Sequence, residues 1–149
     1  MMDYHWNPAD HTLSETEDLE YLLLGDLREL LDDELTAENS RWISAIVETL
    51  LELLPYEFFL EEENGYLQGV LDQCPNWFDQ VERLRMKHGI LFYKLRRLSE
   101  RLAAKISIAE ISEELRTDLR QWMRSLIAHH RHENRLLQTA WNLEIGASD

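Results

Sequence analysis

A chain of 149 residues fits a single domain and is long enough to bury a core. Hydrophobic residues make up 44% of it, with only 5 Gly and 3 Pro, a composition typical of a globular helical protein. The formal net charge of −14 argues against nucleic-acid binding, because phosphate contacts need clustered Lys and Arg. The sequence contains no apolar run of roughly 18 residues and no basic-then-apolar signal segment, so we expect a cytoplasmic protein that does not contact membranes.

The first helix follows a short N-terminal arm. We predict an arm over 1–13, a helical bundle over 14–145 and a tail over 146–149. Ser14 and Glu17 have the spacing of a capping box, which predicts helix one over roughly 15–35. Its predicted inner face carries Leu19, Leu23, Asp26 and Leu30.

The second helix is predicted to follow a polar turn at Thr36–Ser40 and to stop at Asn64 and Gly65. Pro55 lies inside it and should kink it. The connector Tyr66–Pro75 has room for a helical turn. The predicted inner face of helix two carries Val47, Leu51, Leu54, Phe58 and Glu62.

The last two helices show the clearest periodicity. Asn76 is the predicted cap of helix three, and a capping box at Ser107–Glu110 opens helix four, which should end before Gly146. Apolar residues recur in steps of three and four, the pattern of a buried face in a bundle. The predicted buried faces are Val81, Leu84, His88, Leu91, Leu95, Leu98 and Leu102 in helix three, and Leu119, Trp122, Leu126, His129, Glu133, Leu136 and Ala140 in helix four.

Polar residues interrupt both of these faces. His88 stands where leucine is expected, and His129 and Glu133, four residues apart, project from the same side of a helix. Such groups need a partner when buried. Four long helices with mostly short loops predict an all-α, up-down-up-down antiparallel four-helix bundle, in which inward His and Glu side chains are typical metal ligands.

Three segments resemble motifs of the hemerythrin-like (HHE cation-binding) domain family. The segment 58–66 resembles its second-helix motif, His-Phe-x-x-Glu-Glu followed by an aromatic residue. The segment 80–88 resembles the third-helix approach to a ligand histidine, and 129–134 resembles the closing His-x-x-x-Glu. The resemblance extends from about Leu19 to Leu143 and implies a hemerythrin-like bundle with a non-heme di-iron centre.

Carried over residue by residue, the resemblance implies that His88 and His129 are terminal ligands and that Glu62 and Glu133 are bridging carboxylates. The chain departs from the family pattern at three positions. Asp26 replaces the first-helix histidine, Phe58 replaces the second-helix histidine, and Phe92 occupies the position of a further histidine. A reversible oxygen carrier of the usual five-histidine kind is therefore not expected.

The predicted ligands His88, His129, Glu133, Glu62 and Asp26 suit iron, manganese or zinc. Iron in a dinuclear or mononuclear site, used to sense or store metal, oxygen or redox state, is one hypothesis. A metal-free structural or protein-interaction bundle, with a vestigial polar network in which Asp26 pairs with His88 or His129, is the alternative. A ferritin-like oxidase is a third reading, and otherwise we expect no enzyme because no nucleophilic triad stands out.

Two further questions stay open at the level of the sequence. His130 and His132 are expected to form a solvated or edge-facing pair rather than ligands. A protein partner and a homo-oligomer are both compatible with the sequence, which identifies neither.

Overall fold

The computed structural model describes residues 12–34, 36–104 and 113–147, and the side chains of 144–147 lie outside the description. Within these ranges every regular element is helical. The described residues form an all-α helical bundle of four long α-helices and one short one. The elements are α1 (Leu13–Asp32), α2 (Ala37–Glu63), α3 (Tyr66–Gln73), a 3₁₀ turn (Pro75–Trp77), α4 (Phe78–Ala103) and α5 (Glu113–Ala147).

The first two helices begin at threonine caps. Thr12 Oγ1 accepts a hydrogen bond from the backbone N–H of Glu15 at 3.2 Å, so the cap is Thr12 and not the predicted Ser14. Thr36 caps α2 in the same way, accepting from the N–H of Asn39 at 3.1 Å. α2 continues through Pro55 and ends at the predicted stop, where Gly65 adopts a left-handed φ of 69°.

The connector and the later helix boundaries are confirmed only in part. The helical turn expected in the connector is the two-turn helix α3. Trp77, rather than Asn76, is the cap residue of α4, because a 3₁₀ turn precedes it. α5 runs to Ala147, past the predicted stop before Gly146. The capping box at Ser107–Glu110 and most of the N-terminal arm lie outside the described residues.

The core consists of two apolar clusters. The main cluster draws on α1, α2, α4 and α5 and includes Leu27, Leu50, Leu95 and Leu119. The small cluster lies around α3 and contains Leu67, Val70, Val81, Leu84, Leu136 and Ala140. In the main cluster Trp122 donates its indole N–H to the carbonyl of Leu91 at 2.9 Å, so its polar edge is satisfied in the interior.

The predicted buried faces of the last two helices are confirmed in full, since all seven residues of each are buried. The predicted face of α2 is correct at Val47, Leu54 and Phe58 but wrong at Glu62, which is exposed. The predicted face of α1 is wrong at Asp26, which is exposed, while its three leucines are partly buried against the main cluster. The face that α1 buries is Leu13, Thr16, Glu20, Leu24, Leu27 and Leu31.

The physical reason for the error in α1 is its leucine content. Leu19, Leu23 and Leu30 are packed against the main cluster from its edge, while the neighbouring row faces the centre. Because both rows are apolar, the period of 3.6 residues fits either of them. Asp26 lies on the exposed side. Among the described residues no helix is long and apolar enough to cross a membrane.

Two arginines of α5 hold the C-terminal end of α1. Arg116 donates to the carbonyl oxygens of Leu31 and Asp33, the latter at 3.0 Å, and Arg120 donates to that of Leu31 at 2.7 Å. These carbonyls have no partner inside the helix, and a cation suits the negative end of its dipole.

We expect Arg116→Ala to lower the free energy of unfolding by about 1–3 kcal/mol, because the carbonyls of the last turn of α1 lose a charged donor. Chemical denaturation measures this loss. Arg124→Ala, at an exposed position of the same helix, is the matched control and should have little effect. Equal stabilities of the two variants would contradict a capping role for Arg116.

Candidate metal centre

A layer of ionisable side chains separates the two apolar clusters. On α4, His88 lies between Leu84 of the small cluster and Leu91 of the main cluster. On α5, His129 and Glu133 lie between Leu126 and Leu136 in the same way. We call this the polar layer. Its members are Glu20 from α1, Glu57 and Glu61 from α2, His88 from α4, and His129, His130 and Glu133 from α5.

The first group in the polar layer joins α4 and α5. His88 Nε2 hydrogen-bonds to Glu133 Oε1 at 2.9 Å, and His129 Nε2 lies against the same oxygen. Glu61 approaches from α2, with its Oε2 3.6 Å from His88 Nε2. The ligand atoms of His88, His129 and Glu133 all lie within 4.8 Å of one another, and all three residues are buried.

The second group joins α1, α2 and α5. His130 Nε2 lies 2.7 Å from Glu20 Oε1 and 3.4 Å from Glu57 Oε1. Both carboxylates are buried, Glu57 with no exposed surface at all, whereas His130 is half-buried. These three residues also offer ligand atoms within 4.8 Å of one another.

The two groups are connected. Glu61, His130 and Glu133 form a third set whose ligand atoms lie within 4.8 Å of one another. His129 and His130 are neighbours in the sequence with ring centroids 5.9 Å apart, and they belong to different groups. The polar layer is therefore continuous across the bundle.

Phe58 fixes one side of the layer. Its ring stacks on that of His88 with the centroids 3.9 Å apart and the planes 4° from parallel. It also contacts the ring of His129 edge-on, with the two ring centroids 6.5 Å apart. Stacked contacts of this kind restrict the orientation of an imidazole. The aromatic ring thus covers one face of His88, whose Nε2 lies near Glu133 and Glu61.

Burial makes ionisation of the carboxyls on α2 unfavourable. It raises the pKa of Glu57 to about 10, with the facing Glu20 carboxyl as the second cause. It raises the pKa of Glu61 to about 10 as well, with the negative charge of Glu133 as the second cause. The pKa of Glu20 is also raised, again chiefly by burial. Without a cation the carboxyls of Glu57 and Glu61 retain protons at neutral pH.

The pKa of Glu133 is shifted in the opposite direction. Burial by itself raises its pKa, but the contacts with His129 and His88 outweigh burial and hold the pKa below its usual range. Burial lowers the pKa of His129, although Glu133 opposes the shift. Glu133 is thus a carboxylate of the layer that stays ionised.

Several buried atoms of the polar layer lack a hydrogen-bond partner. Among the described residues these are the Oε2 atoms of Glu20, Glu57 and Glu61. Leaving such atoms unpaired is costly in a protein interior. These carboxyl oxygens and the imidazole nitrogens beside them are the donors that iron, manganese and zinc take. The residues present therefore fit a metal ion.

The structure brings together three of the five ligands predicted from the sequence, namely His88, His129 and Glu133. The other two lie elsewhere. Glu62 is on the surface, where Arg85 Nε donates to its Oε1 at 3.0 Å, so its inward placement was wrong. Asp26 is exposed on α1, so neither a ligand role nor pairing with His88 or His129 is compatible with its position.

Four members of the layer were missed as candidates. Glu57 and Glu61 are four residues apart, the same spacing as His129 and Glu133, and this repeat was a usable signal. Glu20 interrupts the leucine row of α1. His130 was expected at the edge of the bundle, but it contacts both Glu20 and Glu57. The expectation for His132 is confirmed, since it is exposed.

Comparison of the chain with protein-family models, with curated proteins and with solved structures gives no match in any of the three. Its function must therefore be inferred from the residues of the polar layer.

The raised pKa values predict how the metal-free protein responds to pH. Between about pH 4.5 and 10 the folded state keeps protons on Glu57 and Glu61 that the unfolded chain has lost, so these two groups should lower its stability as the pH rises through this range. Glu57→Gln should reduce this slope by up to about 1.4 kcal/mol per pH unit. Denaturation at several pH values in the presence of a chelator measures the slope. Glu62→Gln, at an exposed position of the same helix, is the control and should leave the slope unchanged. A stability of the unmodified protein that does not depend on pH would contradict the prediction.

Proposed function

We propose that the chain is a diverged hemerythrin-like four-helix bundle that binds a metal ion of the iron type in its polar layer. In this proposal it senses or stores metal, oxygen or redox state rather than transporting oxygen. The single observation that carries the proposal is the convergence of His88, His129 and Glu133, from two helices, in a buried position between apolar clusters.

Contacts along the helices support an up-down-up-down topology. Arg101, near the end of α4, pairs with Asp118 near the start of α5, and His88 earlier in α4 meets Glu133 later in α5. Residue numbers that fall on one helix as they rise on the other indicate antiparallel neighbours. The pairs Arg116–Leu31 and His130–Glu20 indicate the same for α5 and α1.

A shift of one residue in the resemblance fits the buried positions of α2. With His-Phe-x-x-Glu-Glu placed on residues 57–62, Glu57 takes the place of the motif's histidine and Phe58 matches its phenylalanine. Glu61 then matches the first glutamate, and it is buried where Glu62 is not. This register replaces Glu62 by Glu61 as the proposed bridging carboxylate of α2.

His88, His129 and Glu133 would hold the ion, with Glu61 as a further oxygen donor. A bound iron-type ion would supply Lewis-acid and one-electron redox chemistry. The chain's own contribution is to present two imidazole nitrogens and an ionised carboxylate without water, since Phe58 covers His88 and the leucines on either side close the layer. Carboxylates in place of imidazoles make the donor set harder than that of an oxygen carrier.

The metal-free bundle is the second candidate, and the raised pKa values of Glu57 and Glu61 favour it. Neutral carboxyls can share protons with neighbouring carboxylates and with imidazoles. Such a network would satisfy part of the layer without a cation. The protein would then serve as a structural or protein-interaction bundle.

Metal analysis separates the two candidates. The purified chain, stripped with a chelator and loaded with Fe²⁺ without oxygen, should retain at least one ion per chain. It should also be stabilised, by about 2.7 kcal/mol when free metal is at 100 times its Kd. Glu133→Gln, which keeps the side-chain volume, and His129→Ala should each lose this ion, because each removes a donor from the first group.

The controls lie close to the site in sequence. His132→Ala on the same helix and Glu62→Gln on α2 are exposed and should bind metal as the unmodified chain does. A chain that stays metal-free after loading and gains no thermal stability would eliminate the proposal in favour of the metal-free bundle. Absorbance changes on adding oxygen to the loaded protein would indicate an oxygen sensor or oxidase rather than a passive store.

A further inference from the structure

Three residues of the polar layer lie outside the ligand set proposed above. Glu20, Glu57 and His130 come from three different helices and converge on the α1–α2 side of the bundle. None of them was singled out as a ligand by periodicity or by the resemblance. Their arrangement nevertheless repeats the features of the first group, with ligand atoms within 4.8 Å of one another.

Glu57 is the strongest sign that this group holds a ligand. Its side chain has no exposed surface, and its Oε2 has no hydrogen-bond partner among the described residues. His130 is bonded more closely to Glu20, at 2.7 Å, than to Glu57, at 3.4 Å. A fully buried carboxyl with one unpartnered oxygen therefore has the ligand atoms of Glu20 and His130 within 4.8 Å.

We infer that Glu20, Glu57 and His130 form a second metal position, chemically distinct from the first, that takes an oxygen-preferring divalent ion such as Mn²⁺ or Fe²⁺. This inference rests on the proposed function, because Glu61 and Glu133 join the two groups through their shared set with His130. The two positions together make a dinuclear centre with unequal halves.

The two metal positions are unequal because their donor atoms differ. The first position offers two imidazoles and one carboxylate, and the second offers one imidazole and two carboxylates. Imidazole nitrogen suits Zn²⁺ and Fe²⁺, whereas carboxylate oxygen suits Mn²⁺ and other hard ions. Two carboxylates also neutralise the charge of a divalent ion, and the ion in turn offsets the repulsion that Glu20 and Glu57 have when both are ionised. A mixed pair, zinc in the first position and manganese in the second, is the expected outcome when zinc is limited to one equivalent.

Sequential loading tests this inference. The metal-free chain receives one equivalent of Zn²⁺, and Mn²⁺ is then titrated in while electron paramagnetic resonance follows the signal of the free ion. The unmodified chain should bind one Mn²⁺ after one Zn²⁺, and it should bind a second Zn²⁺ at least tenfold more weakly than the first. Glu57→Gln should still bind the Zn²⁺ but should bind Mn²⁺ at least tenfold more weakly.

Glu62→Gln is the matched control, five residues along the same helix and exposed, and should bind both ions as the unmodified chain does. Far-UV circular dichroism checks that Glu57→Gln is folded, and Glu20→Gln provides a second variant with the same expected loss if it is not. Retention of Mn²⁺ by the folded variants, or two Zn²⁺ ions bound equally well, would overturn the second position. One Zn²⁺ and no Mn²⁺ in the unmodified chain would overturn it while leaving the proposed function standing. No Zn²⁺ at all would overturn both.

Discussion

Burial of ionisable side chains between two apolar clusters is the constraint on which the rest of the structure depends. Each of the four long helices contributes at least one such side chain, and the leucines above and below leave little water to solvate them. Carboxyl groups in such a place must share protons, pair with imidazoles or bind a cation. The packing of the bundle therefore also determines the chemistry of its centre, because the same helices that pack the leucines set the spacing of the donor atoms.

Protons and cations compete for the same oxygen atoms in this layer. Burial raises the pKa of Glu57 and of Glu61 to about 10, so each carboxyl must release a proton before it can act as a negatively charged ligand. Glu133 is already ionised, since two imidazoles hold its pKa below the usual range. Metal binding is thus expected to begin at the imidazole-rich end and to become stronger as the pH rises. The fully buried carboxyl of Glu57, whose pKa is raised, is the opposite case to Glu133.

The chemical inequality within the layer follows the distribution of charge along the chain. Residues 1–63 carry 18 acidic against 2 basic residues, and α1 and α2, which lie in this part, supply only carboxylates to the layer. All three imidazoles come from α4 and α5. In the second half of the chain, Arg116 and Arg120 of α5 also hold the C-terminal end of α1. An acidic half packed against a half that supplies imidazoles and guanidinium groups gives the bundle both its orientation and the asymmetry of its centre.

The sequence by itself determined the helical class, the termination of α2 at Gly65 and the buried faces of the last two helices. It did so because α4 and α5 each carry one apolar row on an otherwise polar surface, so His88, His129 and Glu133 could be assigned to the interior. Only the tertiary structure decided the contribution of the first two helices. Apolar residues surround α1 and α2 more evenly, and a period of 3.6 residues then fits two adjacent rows equally well. Packing against α4 and α5 selected the row of α1 that contains Glu20 and the row of α2 that contains Glu57 and Glu61. It left Asp26 and Glu62 in solvent.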